Sequence, residues 1–381
     1  MNQQLALRIL SDTMKWDNRR STEEFAWLQL IARMKYDGYR DYSAGLRFVE
    51  CLVTWLKQFE EGDREAAYGL VKSRMVYIGS NEMQRIVEQF YHRSFREFIS
   101  TLVSGRLSIP SHECLINKEA QETVQKIQRE TLFMALSDGA RIDVLRHANS
   151  GNLSNEQLVV SVQPDTEKWG DLLGSLRKDR QDQAARFSVV YLIDDFVGTG
   201  TSFLRRSKDA KSWSGKLVKF KNSLKDAIVA MEGQSPLNPD WILCVHHYIG
   251  TELVVDKLRD RLALAMSEMK EEWWAKDFRL SFGMTLPSSI KIDKDKPTDA
   301  DIVALTNKYY DESLRTAHTD VGGEPHLGLG FGACGLPLVL EHNTPNNSIP
   351  ILWADTKGGI GSDGVKNHRM RPLFRRRQRH A

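Results

Sequence analysis

Cysteine is scarce in this sequence. The 381 residues hold four, at positions 51, 114, 244 and 334, and none forms a CxxC pair. That spacing offers no disulfide framework and fits free thiols in a reducing cytoplasm. Long apolar runs are missing too. None approaches the roughly 18 to 20 residues of a membrane span, so no membrane role is expected. The opening Met1-Asn-Gln-Gln-Leu5 has neither the basic region nor the apolar stretch of a secretion signal. Charge of one sign does not dominate. Lys and Arg total 53 against 50 Asp and Glu, and the net charge of +3 argues against wholesale coating of nucleic acid. No internal repeat is visible. With 41% hydrophobic and 27% charged residues, the chain can bury a real core, as one large domain or two ordinary ones.

The first 110 residues read as helical throughout. Ser21 with Glu24 suggests a capping box. Phe25, Leu28, Ile31 and Met34 follow at helical spacing, and Trp27 and Leu30 widen the stripe. Gly38 is expected to break that helix. Residues 46–59 and 81–103 read as two more. Such an aromatic-rich region is a packed core or a platform for a protein or ribonucleoprotein partner. The polar stretch around Pro110 is the expected junction between a helical region, 1–110, and a second domain, 111–381.

From about residue 112 strands and helices alternate. A helix over 119–129 precedes a strand at 131–136. Strands are expected at 186–193, 241–248, 278–285 and 336–340, with helices at 253–274 and 299–315. Residues 146–157 read as a polar flap and 287–298 as an exposed loop. This alternation predicts an α/β domain with a mostly parallel sheet flanked by helices. Ligands of such sheets sit beyond the carboxyl ends of the strands. Cys244 and His246 share one strand face and His247 takes the other, so the three cannot converge on a metal.

The most informative segment is Val189-Val-Tyr-Leu-Ile-Asp-Asp-Phe-Val-Gly-Thr-Gly-Thr-Ser202. An apolar strand runs into Asp194 and Asp195. Gly198, Thr199, Gly200, Thr201 and Ser202 follow, leading into Phe203 and Leu204 and an expected helix. Glycines free the backbone, and hydroxyls add donors to the amides, which together suit a phosphate at a helix start. The two acids suit neighbouring ribose hydroxyls or a hydrated Mg2+. An ordinary strand–turn–helix corner is the competing reading.

Strand, paired acids and Thr-Gly loop together resemble the phosphoribosyl-pyrophosphate motif of type I phosphoribosyltransferases. The resemblance implies that Asp194 and Asp195 hold the ribose 2′- and 3′-hydroxyls and the Mg2+, and that Thr199 to Ser202 wrap the 5′-phosphate. It also implies a pyrophosphate loop after an earlier strand. Ser137, Asp138, Gly139 and Arg141 stand in the right order for it, although a turn with a surface Arg–Asp pair reads equally well. On the base side it implies a loop after the last strand. His342, Asn343 and Asn346 are candidates there, since imidazole and amide groups read base edges. An Asn-Pro turn with Trp353 in the core is the alternative.

The three segments together are similar to phosphoribosyltransferase-like effectors of bacterial conflict and anti-phage systems, some beside retron reverse transcriptases. The resemblance implies a ribose 5-phosphate ligand, phosphoribosyl pyrophosphate or a nucleotide, with glycosyl transfer or cleavage at ribose C1. A non-catalytic sensing or partner-binding module is the alternative, working with a reverse transcriptase or nucleic acid. Two features depart from salvage enzymes. Gly198 stands where purine-salvage enzymes usually carry an Asp. The stretch from Arg205 to Lys225 is Lys-rich and contains Trp213-Ser-Gly-Lys-Leu217. The tail from Arg369 to His380 holds six arginines. It is a candidate contact for nucleic-acid phosphates, or a latch through Leu373 and Phe374.

Overall fold

The computed structural model describes residues 3–207, 212–269, 274–316, 319, 323, 326–360 and 366–376. The chain packs as two compact units, Met83–Pro287 and Met1–Glu82 with Ser288–Ala381. The helices before Glu82 share their unit with the C-terminal segment Ser288–Ala381, and helix Arg96–Leu107 belongs to the other unit. Strands used below are, in chain order, β1 (Val76–Ile78), β2 (Thr131–Ala135), β3 (Leu158–Val159), β4 (Phe187–Val197), β5 (Arg205–Arg206), β6 (Trp213–Ser214), β7 (Leu237–Thr251), β8 (Asp277–Leu286) and β9 (Leu338–Leu340).

The unit Met83–Pro287 is built on a five-stranded sheet in the order β3-β2-β4-β7-β8, parallel at every pairing. Buried on both faces, β2, β4 and most of β7 read as nearly continuous apolar runs, while the edge strand β8 is mostly half-buried. Leu132, Met134, Val190, Leu192, Leu243 and Val245 face one way, against Trp169 and Leu176 of helix Thr166–Arg180, Phe220 of helix Lys216–Ala230 and Leu258 of helix Glu252–Met269. Phe133, Tyr191 and His246 face the other way and meet Phe90 with ring centroids 5.9, 5.3 and 4.5 Å apart. The fold class expected from the alternation is therefore present, an α/β unit with a parallel central sheet.

The long helix expected over 81–103 runs as Ser80–Gln89 and Arg96–Leu107 with a widened π-helical turn at Phe90–Phe95 between them. The wide turn seats Phe90 and Phe95 against the sheet aromatics.

In the other unit β1 pairs with β9 in parallel. Phe374 sits at the centre of an aromatic cluster, 5.1 to 6.0 Å from the rings of Tyr36, Tyr39, Tyr42, Phe48 and Tyr77. Leu373 and Phe374 are buried, so this part of the tail belongs to the core. The arginines at 377 and 379 lie outside the described residues. No helix among the described residues is long and apolar enough to cross a membrane.

Several local expectations need correction. The helix of residues 21–34 starts earlier, at Asn18. Asp17 caps it by accepting from the Arg20 amide at 2.7 Å. Glu24 instead turns inward and accepts from Tyr68 Oη at 2.6 Å and Lys72 Nζ at 2.6 Å. The polar segment at 146–157 is not a loose flap. Gln157 is buried and its amide donates to the carbonyls of Gln128 and Thr131 at 2.6 and 2.8 Å. The stretch at 287–298 is not wholly exposed, because Ile292 is fully buried. The helix expected to follow the hydroxyl loop does not begin at Phe203. The chain first makes the antiparallel pair β5–β6, and the helix starts at Lys216.

Candidate functional site

The chain runs from β2 to β3 on one side, then returns past β2 to β4 on the other. Strand order therefore reverses between β2 and β4, and ligands of such sheets bind beyond the carboxyl ends at that reversal. Both candidate loops of the motif region lie there. Residues 137–141 leave β2, and β4 carries the acids.

Apolar residues alone defined the strand expected at 186–193. In fact β4 continues through Val197, since Asp194 is paired with His247 and Phe196 with Ile249 on β7. The acids are thus strand residues and point to opposite sheet faces. Leu136 N donates to Ile193 O at 2.8 Å, which sets the next residue of that loop, Ser137, beside the next residue of β4, Asp194. The Ser137 hydroxyl donates to Asp194 Oδ1, and its oxygen accepts from the Gly139 amide at 3.2 Å. Gly139 lies against the second acid. A Cβ there would stand 2.5 Å from Asp195 Cγ. Asp138 is exposed above this contact. Arg141 takes a left-handed backbone, φ 47°, which is costly for a residue with a side chain. Its positive charge is felt at Tyr248 on β7.

The hydroxyl loop is tightly turned. Gly200 has φ 71°, and the Thr199 and Thr201 hydroxyls lie 3.0 Å apart. Arg261, from the helix after β7, holds the loop from beneath by donating to the Thr199 and Leu204 carbonyls at 3.1 and 3.0 Å. Gly198 and Thr199 are half-buried and Ser202 is exposed, so the loop presents a polar rim to solvent.

Lys216 Nζ stands 2.6 Å from Asp194 Oδ2. Its backbone amide donates to Ser202 O at 3.1 Å, so the helix start returns to the loop it does not directly follow. Gly215 permits this approach with φ 119°. A Cβ there would be 2.5 Å from Phe203 O. Burial raises the Asp194 carboxyl above its ordinary range, and the Asp195 charge adds to the rise. Lys216 and Ser137 pull it back down only in part. His247 is buried and its Nδ1 has no hydrogen-bond partner among the described residues. Burial, reinforced by the Lys216 charge, lowers its pKa to about 3 and keeps it neutral.

The sequence named Ser137, Asp138, Gly139, Arg141, Asp194, Asp195 and Gly198 to Ser202, and this unit brings them to one end of one sheet. The family model PRTase-CE matches residues 52–376. The chain belongs to this phosphoribosyltransferase-like effector family. No curated protein and no solved structure matches it.

Within the PRTase-CE chain, His342, Asn343 and Asn346 belong to the other compact unit. There the Asn343 amide donates to Leu340 O at 3.0 Å, and His342 Nδ1 lies 3.4 Å from Glu341. Trp353 is half-buried and donates from its indole to Ser348 O at 2.8 Å. Lys216 and Arg261 are the residues the sequence reading missed. Lys216 lies inside the segment Trp213–Leu217, and its usable signal was a lysine opening a helix directly after a glycine. Arg261 gave no signal in an otherwise ordinary amphipathic helix.

Proposed function

We propose that the end of the sheet where strand order reverses, between β2 and β4, binds a ribose 5-phosphate ligand, phosphoribosyl pyrophosphate or a nucleotide. The observation that carries this reading is the meeting of the loop after β2 with the two acids of β4. The Ser137 hydroxyl reaches Asp194, and Gly139 packs on Asp195. The loop Gly198–Ser202 takes the 5′-phosphate, the acids take the ribose hydroxyls, and Ser137, Asp138, Gly139 and Arg141 take the pyrophosphate or its equivalent. Carboxylates accept from hydroxyl groups in strong charge-assisted hydrogen bonds.

With phosphoribosyl pyrophosphate, the reaction is transfer at ribose C1. The C1–O bond breaks, pyrophosphate departs with the electron pair, and the acceptor lone pair closes the new bond. The chain's part is to hold both ends of the sugar and to aim fixed donors at the departing charge. Gly198 supplies no carboxylate for a purine ring nitrogen, which favours an acceptor other than a salvaged purine.

The acidic pair does not fit a Mg2+ coordinated directly by Asp194. One oxygen of that carboxylate takes the Ser137 hydroxyl, and the other takes the Lys216 ammonium. Among the described residues no cluster of three His, Cys, Asp or Glu is grouped to hold a metal. Mg2+ in this reading belongs with the phosphates of the ligand.

Sensing without turnover is the second reading, favoured by that same pairing of Asp194 within the protein. Action as an anti-phage effector, alongside a reverse transcriptase, another protein or nucleic acid, is the biological setting we propose from family membership. Incubation with phosphoribosyl pyrophosphate, Mg2+ and a pool of bases and nucleotides, followed by mass spectrometry, separates the readings. Pyrophosphate release and a new product, both lost in Asp194→Asn/Asp195→Asn, are expected of the enzyme. Saturable binding without turnover marks the sensor. No binding at all contradicts both.

A further inference from the structure

Lys216 is in an electrostatically poor place for its own helix. It is the first residue of Lys216–Ala230, and that helix has no acidic residue in its first turn. The partial positive charge of a helix N-terminus disfavours a cation there. What compensates is Asp194, 2.6 Å from Nζ. The backbone is shaped to allow it. Gly215 packs where no side chain fits, and the Lys216 amide is tied to Ser202 O. The Lys216 side chain is 22% exposed and that of Asp194 only 8%, so the ammonium lies on the open side of the pair. Its charge reaches His247 on the neighbouring strand. One lysine thus joins the first acid to the hydroxyl loop.

We propose that Lys216 is the built-in cation of this site. Resting on the ribose-phosphate reading above, the inference assigns it the charge role that a divalent metal would otherwise play at the first acid. Lys216 neutralises Asp194 and leaves it oriented as a hydroxyl acceptor. Its ammonium also adds positive charge beside the loop that takes the phosphate. Ribose 5-phosphate, which carries no pyrophosphate to recruit a metal, then binds without Mg2+. Lys216 is a positioning residue in this account, and metal dependence is the property it sets.

Titration calorimetry of the full chain with ribose 5-phosphate, in EDTA and in millimolar Mg2+, tests this. Wild type is expected to bind equally in both. Lys216→Met is expected to lose about tenfold or more in EDTA, roughly 1.4 kcal/mol, and to recover on addition of Mg2+, which can now reach Asp194. Lys216→Arg keeps the cation and is expected to bind without metal, which guards against a Met variant that folds poorly. A wild type that needs Mg2+, a Lys216→Met protein unaffected in EDTA, or a folded Lys216→Arg protein that needs Mg2+ overturns the proposal. A wild type that binds ribose 5-phosphate in neither buffer overturns the ribose-phosphate reading itself, and the role of Lys216 falls with it.

Discussion

Gly139 faces the carboxylate of Asp195 so closely that a Cβ on it would stand 2.5 Å from Asp195 Cγ. The contact joins the loop after β2 to the second acid on β4. It requires glycine for space rather than for an unusual backbone. Gly139→Ala must push Asp195 aside, because the loop is also held through the Ser137 hydroxyl. The expected result is a loss of about tenfold or more in ribose 5-phosphate affinity, roughly 1.4 kcal/mol. Calorimetric titration reads the affinity, and a thermal melt reads any accompanying loss of stability.

The pair Asp194–Lys216 is partly buried, and buried pairs cost desolvation that their attraction does not always repay. The Asp194 carboxyl is raised in the folded state, chiefly by burial. Its contribution to stability is therefore fullest below the ordinary aspartate range and is lost as pH rises through the raised value. Removing one partner strands the other, and each of Asp194→Asn and Lys216→Met is expected to cost roughly 1 to 3 kcal/mol. The double variant is expected to recover most of that loss while binding ligand only weakly. Urea denaturation of the four proteins measures the coupling, and additive single losses would contradict it.

His246 and His247 occupy adjacent positions on β7, and burial lowers each to a pKa of about 3. The unfolded chain takes up protons near pH 6.5 while the folded chain does not, so stability is full above that value and falls as pH drops toward 3. Each histidine contributes a slope of up to about 1.4 kcal/mol per pH unit in that window. His247→Phe keeps a ring beside Phe282 and removes one titration. Denaturation at pH 7 and pH 5 is expected to show a smaller difference for the variant than for wild type, whatever its absolute stability.

Much of the Met83–Pro287 unit was legible in the sequence because its physics is local. The apolar runs of β2, β4 and β7 announced a sheet buried on both faces at its centre. The acids and the Thr-Gly loop announced what lies at its end. What stayed hidden depends on partners remote in sequence. Nothing near Asp194 shows that Lys216 returns to it, because the β5–β6 pair intervenes. The short β3 and the burial of Gln157 depend on pairing with β2. The polar residues at 146–157 look mobile until the carbonyls they satisfy are known. The acids looked like loop residues because β4 continues past its apolar run, held by β7.

The most direct test of the central claim compares ribose 5-phosphate with 2-deoxyribose 5-phosphate, on wild type and on each of Asp194→Asn and Asp195→Asn. If the acids hold the ribose hydroxyls while the loop Gly198–Ser202 holds the phosphate, wild type discriminates against the deoxy sugar by about tenfold or more, the worth of one charge-assisted hydrogen bond. The Asn variant of the acid that holds the 2′-hydroxyl narrows that gap and still binds both sugars weakly through the phosphate. Equal affinity of wild type for the two sugars, or a gap unchanged in both Asp194→Asn and Asp195→Asn, would contradict the account.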